Sequence, residues 1–239
     1  MGRLLHDLAA FFPLRRTLAA CSIWLLLAAA AFLEAEEGAG SSLLVRQVMG
    51  GVTPRGALDI MAVFRWAACI CPGILLSLSY LDEARGDRLF LVLPRIGRRR
   101  WWGHTLLVLL AGNGLYALSG LGLLLITAPL FGHPIDADFG FYLAVWVLLA
   151  LCLTATALIA GMLAACVSPA AGQAFWVALH SLSALLGCKG AIPLWIPSGC
   201  YGMIEQVGAS SPQIWIIAGV QAVIVVAVWA FGYRHITRV

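Results

Sequence analysis

Uninterrupted apolar runs of about twenty residues constrain the fold of this 239-residue chain more than any other feature. A helix needs about 20 predominantly apolar residues to cross the roughly 30 Å hydrocarbon core of a bilayer. The chain is 62% hydrophobic and 11% charged, and its charged residues lie mostly between the runs. This excludes a water-soluble domain, and the continuous runs differ from the alternating segments of an outer-membrane barrel. The sequence therefore predicts an all-α membrane protein.

Six membrane spans are predicted, and residues 1–239 form a single transmembrane domain. The spans are placed at 17–33, 57–80, 104–130, 140–163, 171–190 and 214–233. An even number of spans puts both termini on one side of the membrane. Eleven of the 15 basic residues fall on that side, six of them arginines between Arg85 and Arg100. The positive-inside rule therefore places both termini in the cytoplasm.

The first sixteen residues are interpreted as an amphipathic helix in the cytoplasmic interface. Apolar residues at helical spacing form one face, with polar and basic residues beside it. Pro13 then ends this helix or turns the chain into the first span. A cleaved signal peptide is disfavoured because the basic region is too long and its loss would make the span count odd.

The inner segment 82–103 combines several features at the membrane surface. It opens with mixed charges, continues with the apolar strip 89–93, and breaks at Pro94. The strip is too short to cross a bilayer, so it must bury its face against headgroups, the bundle or another protein. A basic and aromatic cluster closes the segment and suits anionic headgroups and the membrane interface. These predicted interface anchors are Arg98, Arg99, Arg100, Trp101 and Trp102. Taken alone, the arginines are equally well explained as topology determinants.

The order Glu83-x-x-Gly86, apolar strip, Leu93-Pro94 and Gly97-Arg98 resembles the loop after the second span of ABC-2-type transporter permeases. The amphipathic N-terminal segment is similar to the elbow helix of that family. Six spans with both ends inside extend the resemblance, and so does the basic C-terminal stretch 231–238. The resemblance implies an ABC-2 permease fold of the type V exporter kind.

The resemblance also implies partners. The chain would be a permease subunit that pairs with a second copy or a paralogue and with two ATPase subunits, in the cytoplasmic membrane of a bacterium. Segment 82–93 would be the coupling helix that contacts the ATPase. Its implied contact residues are Glu83, Arg85, Gly86, Asp87, Arg88, Leu89 and Phe90. The chain has no P-loop, so ATP and magnesium would be bound by the partner subunit and this chain would hold no cofactor.

Polar residues inside the predicted spans are candidate pathway-lining groups, because such residues often face a pore or a partner. These candidates are Arg65, Asn113, His180 and Gln221. Each has an alternative interpretation. Arg65 would snorkel to the outer interface, and the other three would form hydrogen bonds between helices.

The outer segment 191–213 is apolar, aromatic and interrupted by two prolines, which is unusual for a hydrated loop. We interpret it as a re-entrant element in the outer leaflet, and its counterpart in ABC-2 permeases implies an outer gate. The candidate gate residues are Pro193, Trp195, Pro197 and Tyr201. An apolar loop packed on the bundle is the alternative.

The predicted function is transport across the cytoplasmic membrane, and the family resemblance implies export. An intramembrane enzyme is disfavoured because the nucleophile and metal motifs of such enzymes are missing from the spans. The seven cysteines form no CxxC pair, so no metal site is predicted. The basic residues are explained by topology, so no nucleic-acid partner is predicted.

A secondary transporter that does not use ATP is the alternative function. Drug, peptide, lipid and polysaccharide substrates all remain compatible with the sequence.

Overall fold

The computed structural model describes residues 2–36, 38–49, 60–85, 97–188 and 213–236. Over these ranges the chain is helical and contains no strand, which confirms the all-α prediction. The helices are α1 Gly2–Phe11, α2 Leu14–Glu34, α3 Ser41–Met49, α4 Ile60–Arg85, α5 Arg98–Thr127, a short 3-10 helix Ala128–Phe131, α6 Phe139–Cys166, α7 Pro169–Cys188 and α8 Gln213–Ile236.

Five of these helices are long and apolar enough to cross a membrane. They are α2, α4, α5 with the 3-10 turn that follows it, α6 and α8. The chain is therefore compatible with a multi-pass membrane protein. The predicted span 171–190 corresponds to α7, which is 20 residues long but is not among the five.

Two helix boundaries differ from the sequence prediction near the N-terminus. The first helix ends at Phe11, and the second begins at Leu14 rather than at residue 17. Pro13 separates them in an extended conformation, with φ −64° and ψ 134°. Its ring fixes φ and it lacks an N–H, so a helix can start after it but cannot continue through it. Segment 1–16 is consequently divided between two helices.

The predicted outer loop after the first span contains a helix, α3. Its apolar residues Leu44, Val45, Val48 and Met49 are buried and pack toward the ends of the neighbouring spans. Their spacing of i, i+1, i+4 and i+5 places them on one helical face. The loop is therefore a structural part of the bundle rather than a hydrated connection.

Helix α6 lies at the centre of the bundle. It contacts α4, α5, α7 and α8, and most of its residues are buried. A helix that is apolar on every side is expected to be surrounded by protein or lipid. The other long helices each bury a smaller share of their residues and expose apolar side chains outward. This distribution fits a bundle whose outer surface contacts hydrocarbon.

One end of the bundle brings together α1, the end of α4 and the beginning of α5. The Asp7 carboxylate lies 2.6 Å from a ring nitrogen of His104. The ring of Phe11 lies 5.9 Å from that of Tyr80 and packs against the backbone at Gly112. Helix α1 is therefore fixed to α4 and α5 by both polar and apolar contacts.

The last turns of α8 reach this same end. The indole Nε1 of Trp102 donates a hydrogen bond to the carbonyl oxygen of Trp229 at 2.8 Å, and Trp229 Nε1 donates to the Trp102 carbonyl at 3.2 Å. We call this the basic end, because it carries the exposed arginines Arg15, Arg16, Arg99 and Arg100. Helix α1 and the last turns of α8 thus lie at one end of the bundle.

The opposite end carries carboxylates, and we call it the acidic end. The carboxylates at the acidic end include Glu34, Glu36, Asp136 and Asp138. Here the beginning of α3 is bonded to the loop before α6. The backbone N–H and the hydroxyl of Ser42 donate to Asp136 Oδ2 at 2.9 and 2.6 Å. Ser41 Oγ lies 2.7 Å from the Tyr142 hydroxyl and accepts from the Asp136 N–H at 3.0 Å.

The hydrogen bonds from Ser42 hold the pKa of Asp136 below its usual value of 3.8, the hydroxyl contributing more than the backbone N–H. A carboxyl group whose pKa is lower in the folded state adds stability above its unfolded pKa, and this stability is lost as the pH falls through the folded value. We therefore expect the Asp136 contribution to be complete at pH 6, to begin to fall at about pH 4, and to be lost once the pH passes below the folded pKa.

Asp136→Asn tests this expectation. At pH 6 the variant is expected to unfold at a lower temperature than the wild type in detergent, because the amide replaces a charged acceptor. At pH 3 the difference should be smaller than at pH 6. Glu36→Gln, which removes an exposed charge at the same end, is the control. A wild-type advantage over Asp136→Asn that persists unchanged at pH 3 would contradict the proposed role of the ionised carboxylate.

Candidate functional site

Two of the candidate coupling residues, Glu83 and Arg85, lie at the basic end. Glu83 is exposed in the last turn of α4, and Arg85 ends that helix. Gly86, Asp87, Arg88, Leu89 and Phe90 lie outside the described residues. Helix α4 ends and α5 begins at the basic end.

The predicted interface anchors begin α5. Gly97, with φ +74°, precedes the helix. Arg99 and Arg100 are exposed at the first turn, as an anchor at a membrane surface requires. Trp101 and Trp102 are buried by protein instead, and Trp102 is only 1% exposed. The Trp102 ring connects α5 to α8 through the hydrogen bond from its Nε1 to the Trp229 carbonyl, a contact between distant segments that a single sequence does not reveal.

Asn113 lies at the junction of three helices. Its Oδ1 lies 2.9 Å from the Ser77 hydroxyl on α4, and its Nδ2 donates to Thr154 Oγ1 on α6 at 3.1 Å. The Ser77 and Thr154 hydroxyls also bond the carbonyls of Gly73 and Ala150 on their own helices. Asn113 is fully buried. This geometry favours the interhelical hydrogen bond over a pathway-lining role.

Arg65 forms an ion pair with Glu34 at the acidic end, joining α4 to α2. The Arg65 side chain is mostly buried, and its Nε has no hydrogen-bond partner. The sequence contained a signal for this pair, because opposite charges lie near the outer ends of two consecutive predicted spans. Arg65 thus reaches a carboxylate at the bundle surface.

His180 and Gln221 are both buried, on α7 and α8 respectively. The His180 ring is flanked by Trp66 on α4 and by Trp176, with ring centroids 5.4 and 6.3 Å away. Neither His180 ring nitrogen has a hydrogen-bond partner. Trp66 follows Arg65 in sequence but faces α7, whereas Arg65 faces α2. The structure therefore does not bring the four candidate pathway residues to one place.

Two clefts lie along the contact between α2 and α4. The first, of about 340 Å³, extends from Arg16 to Ile23 on α2. The second, of about 370 Å³, continues to Glu34 and Arg65. Both are lined by Ile23 and Ala68, so together they form one groove from the basic end to the acidic end. Its lining is otherwise almost entirely apolar.

The candidate outer-gate residues Pro193, Trp195, Pro197 and Tyr201 lie outside the described residues. In the part of the chain that is described, no cluster of three or more histidine, cysteine, aspartate or glutamate side chains has the geometry of a metal site.

Comparison with protein-family models, with characterised proteins and with solved structures found no match.

Proposed function

We propose that this chain is the membrane subunit of an ATP-driven transporter, similar to the ABC-2 permeases, and that it acts in export. One observation carries the proposal: α1, the end of α4, the beginning of α5 and the last turns of α8 all meet at the basic end of a helical bundle. A cytoplasmic ATPase needs a contact segment on the cytoplasmic side, and the basic end is the cytoplasmic one by the positive-inside rule.

A sixth span is part of this proposal. Helix α6 runs from the acidic end to the basic end. Tyr142 near its beginning lies at the acidic end, and Met162 near its end lies beside Gly232 at the basic end. Helix α8 also runs toward the basic end, so the chain has to return to the acidic end between these two helices. Helix α7 lies in that interval, and its 20 residues measure about 30 Å.

Contacts along α7 support its assignment as this span. Near its beginning, Gly172 packs against the backbone of Ala160 and the side chain of Ala164. Eight residues later, His180 lies beside Trp66, which is in the half of α4 nearer the acidic end. Helix α7 therefore advances from the basic end toward the acidic end, antiparallel to α6. With α7 included, the six-span arrangement has both termini in the cytoplasm.

In the proposed mechanism, the ATPase binds segment 82–93 and moves it during the nucleotide cycle. Segment 82–93 is continuous with α4, so a displacement there is transmitted to α4 directly. Helix α4 contacts α1, α2, α3, α5 and α6. Close packing transmits such movement, because a packed interior resists deformation. The permease works with a second copy or a paralogue and with two ATPase subunits, in the cytoplasmic membrane of a bacterium.

The proposal is tested by purifying the tagged full chain from its native membrane and identifying the bound subunits. We expect a P-loop ATPase to co-purify with the wild type. Replacing both Leu89 and Phe90 with alanine should weaken that contact by about 2 kcal/mol if these residues anchor the interface. The ATPase is then lost, or it remains bound while substrate-stimulated hydrolysis disappears.

Alanine at both Leu130 and Phe131 is the matched control. This second Leu-Phe pair is exposed at the other end of the bundle, after α5. It should leave the ATPase bound and stimulated. Absence of any ATPase from the wild-type preparation contradicts the proposed function, whereas normal coupling in the Leu89/Phe90 variant contradicts only the assignment of the contact segment.

A further inference from the structure

The groove between α2 and α4 is open along the outside of the bundle. Leu26 and Phe64 line its second cleft, Leu75 lines its first, and all three side chains are exposed. In a membrane-spanning bundle, such a surface contacts hydrocarbon chains rather than water. Whatever fills the groove is consequently apolar over most of its length.

The sequence explains why a groove forms here. Helix α4 contains Pro72 in its interior, and the proline ring has no N–H to bond the carbonyl of Ala68. Ala68 lines both clefts, and the alanines Ala19 and Ala20 line the first from α2. Small side chains on both helices leave space that leucine would fill. The groove is thus built into the two helices.

The first cleft has a charged group at one end only. Arg16 lines the first cleft at the basic end. The neighbouring Arg15 is exposed and does not line this cleft. Ile23 follows Arg16 by seven positions, a rise of about 10 Å along α2. An arginine next to an apolar channel of this length matches an anionic phosphate followed by an acyl chain.

We propose that the first cleft binds one phospholipid, with its phosphate on Arg16 and an acyl chain between α2 and α4. The cleft volume of about 340 Å³ lies within the range of about 300–1,000 Å³ that is typical of small-molecule sites. The phospholipid fills the space that Pro72 and the alanines create, and it seals α2 against α4. This site is independent of the transport proposal, because it requires only that the bundle spans a membrane.

The test is to count the lipids retained by the purified full chain. The protein is reconstituted in vesicles of equal parts phosphatidylglycerol and phosphatidylcholine, extracted in mild detergent, and analysed by native mass spectrometry. We expect one phospholipid per chain in the wild type, with phosphatidylglycerol preferred over phosphatidylcholine because Arg16 attracts a lipid of net negative charge. Arg16→Gln should lower the bound fraction about tenfold, because it removes a charge-assisted hydrogen bond to the phosphate. Ala19→Trp should lower it similarly by filling the cleft.

Neighbouring residues on α2 provide matched controls. Arg15→Gln removes the same charge, and Leu18→Trp adds the same ring at an exposed position outside the cleft. Both should retain the lipid, and circular dichroism should show the same helix content in all four variants. Equal retention by all four would show only unspecific surrounding lipid and overturn the proposal. The oligomeric state is measured in the same spectra. If Ala19→Trp abolishes a dimer of the chain but leaves the retained lipid unchanged, a second copy covers the groove and the proposal is wrong.

Discussion

Trp102→Ala is expected to lower the free energy of unfolding by about 3–5 kcal/mol, the range for removing a buried tryptophan. The side chain is almost completely buried, and Gly232 of α8 packs against its ring. The substitution also removes the hydrogen bond from Trp102 Nε1 to the Trp229 carbonyl. The beginning of α5 and the end of α8 should separate as a result. Unfolding of the purified chain in detergent, by heat or denaturant, measures the effect.

Trp102→Phe separates the two contributions. Phenylalanine keeps most of the apolar contact but cannot donate to Trp229, so a loss of about 1–2 kcal/mol is expected. Trp215→Ala is the control, because Trp215 lies at the other end of α8 and is 49% exposed. If Trp102→Ala is no more destabilising than Trp215→Ala, the contact between α5 and α8 does not contribute as described.

The class of fold was readable from the sequence because the bilayer imposes a length and a composition on each span. The same reasoning missed α3, since a nine-residue helix between two spans is too short to be recognised as a crossing element. A periodicity signal was nonetheless present: Leu44, Val45, Val48 and Met49 share one face. Local patterns therefore predict helices well when a long apolar run supplies the evidence, and poorly when burial depends on neighbouring elements.

The candidate site was predictable to a smaller extent. The sequence indicates that Arg65 needs an explanation, but its partner Glu34 lies 31 residues away on another helix, and residue chemistry alone does not pair them. Trp102 fits a headgroup-level position by residue type, and only the fold shows that α8 covers its ring. Residue chemistry identifies groups that need partners, whereas tertiary contacts decide which partners they find.

Close helix packing at Gly120 leads to the last prediction. A Cβ atom at this position would overlap the indole of Trp24 on α2, which is itself 1% exposed. Gly120→Ala should therefore destabilise the fold by about 1–3 kcal/mol, the cost of overpacking a core. Gly122, two residues further along α5, has no atom within 4 Å of the corresponding position. Gly122→Ala should instead raise stability by up to about 1 kcal/mol through the higher helix propensity of alanine.

A double-mutant cycle identifies the cause of the Gly120 effect. Trp24→Leu alone should be destabilising because it leaves a cavity beside α5. If the new methyl group collides with the indole, Gly120→Ala should cost less in the Trp24→Leu background than in the wild type, with a coupling energy of about 0.5–3 kcal/mol. Additive effects of the two substitutions, or equal shifts for Gly120→Ala and Gly122→Ala, would show that α2 and α5 are not in contact at Trp24 and Gly120.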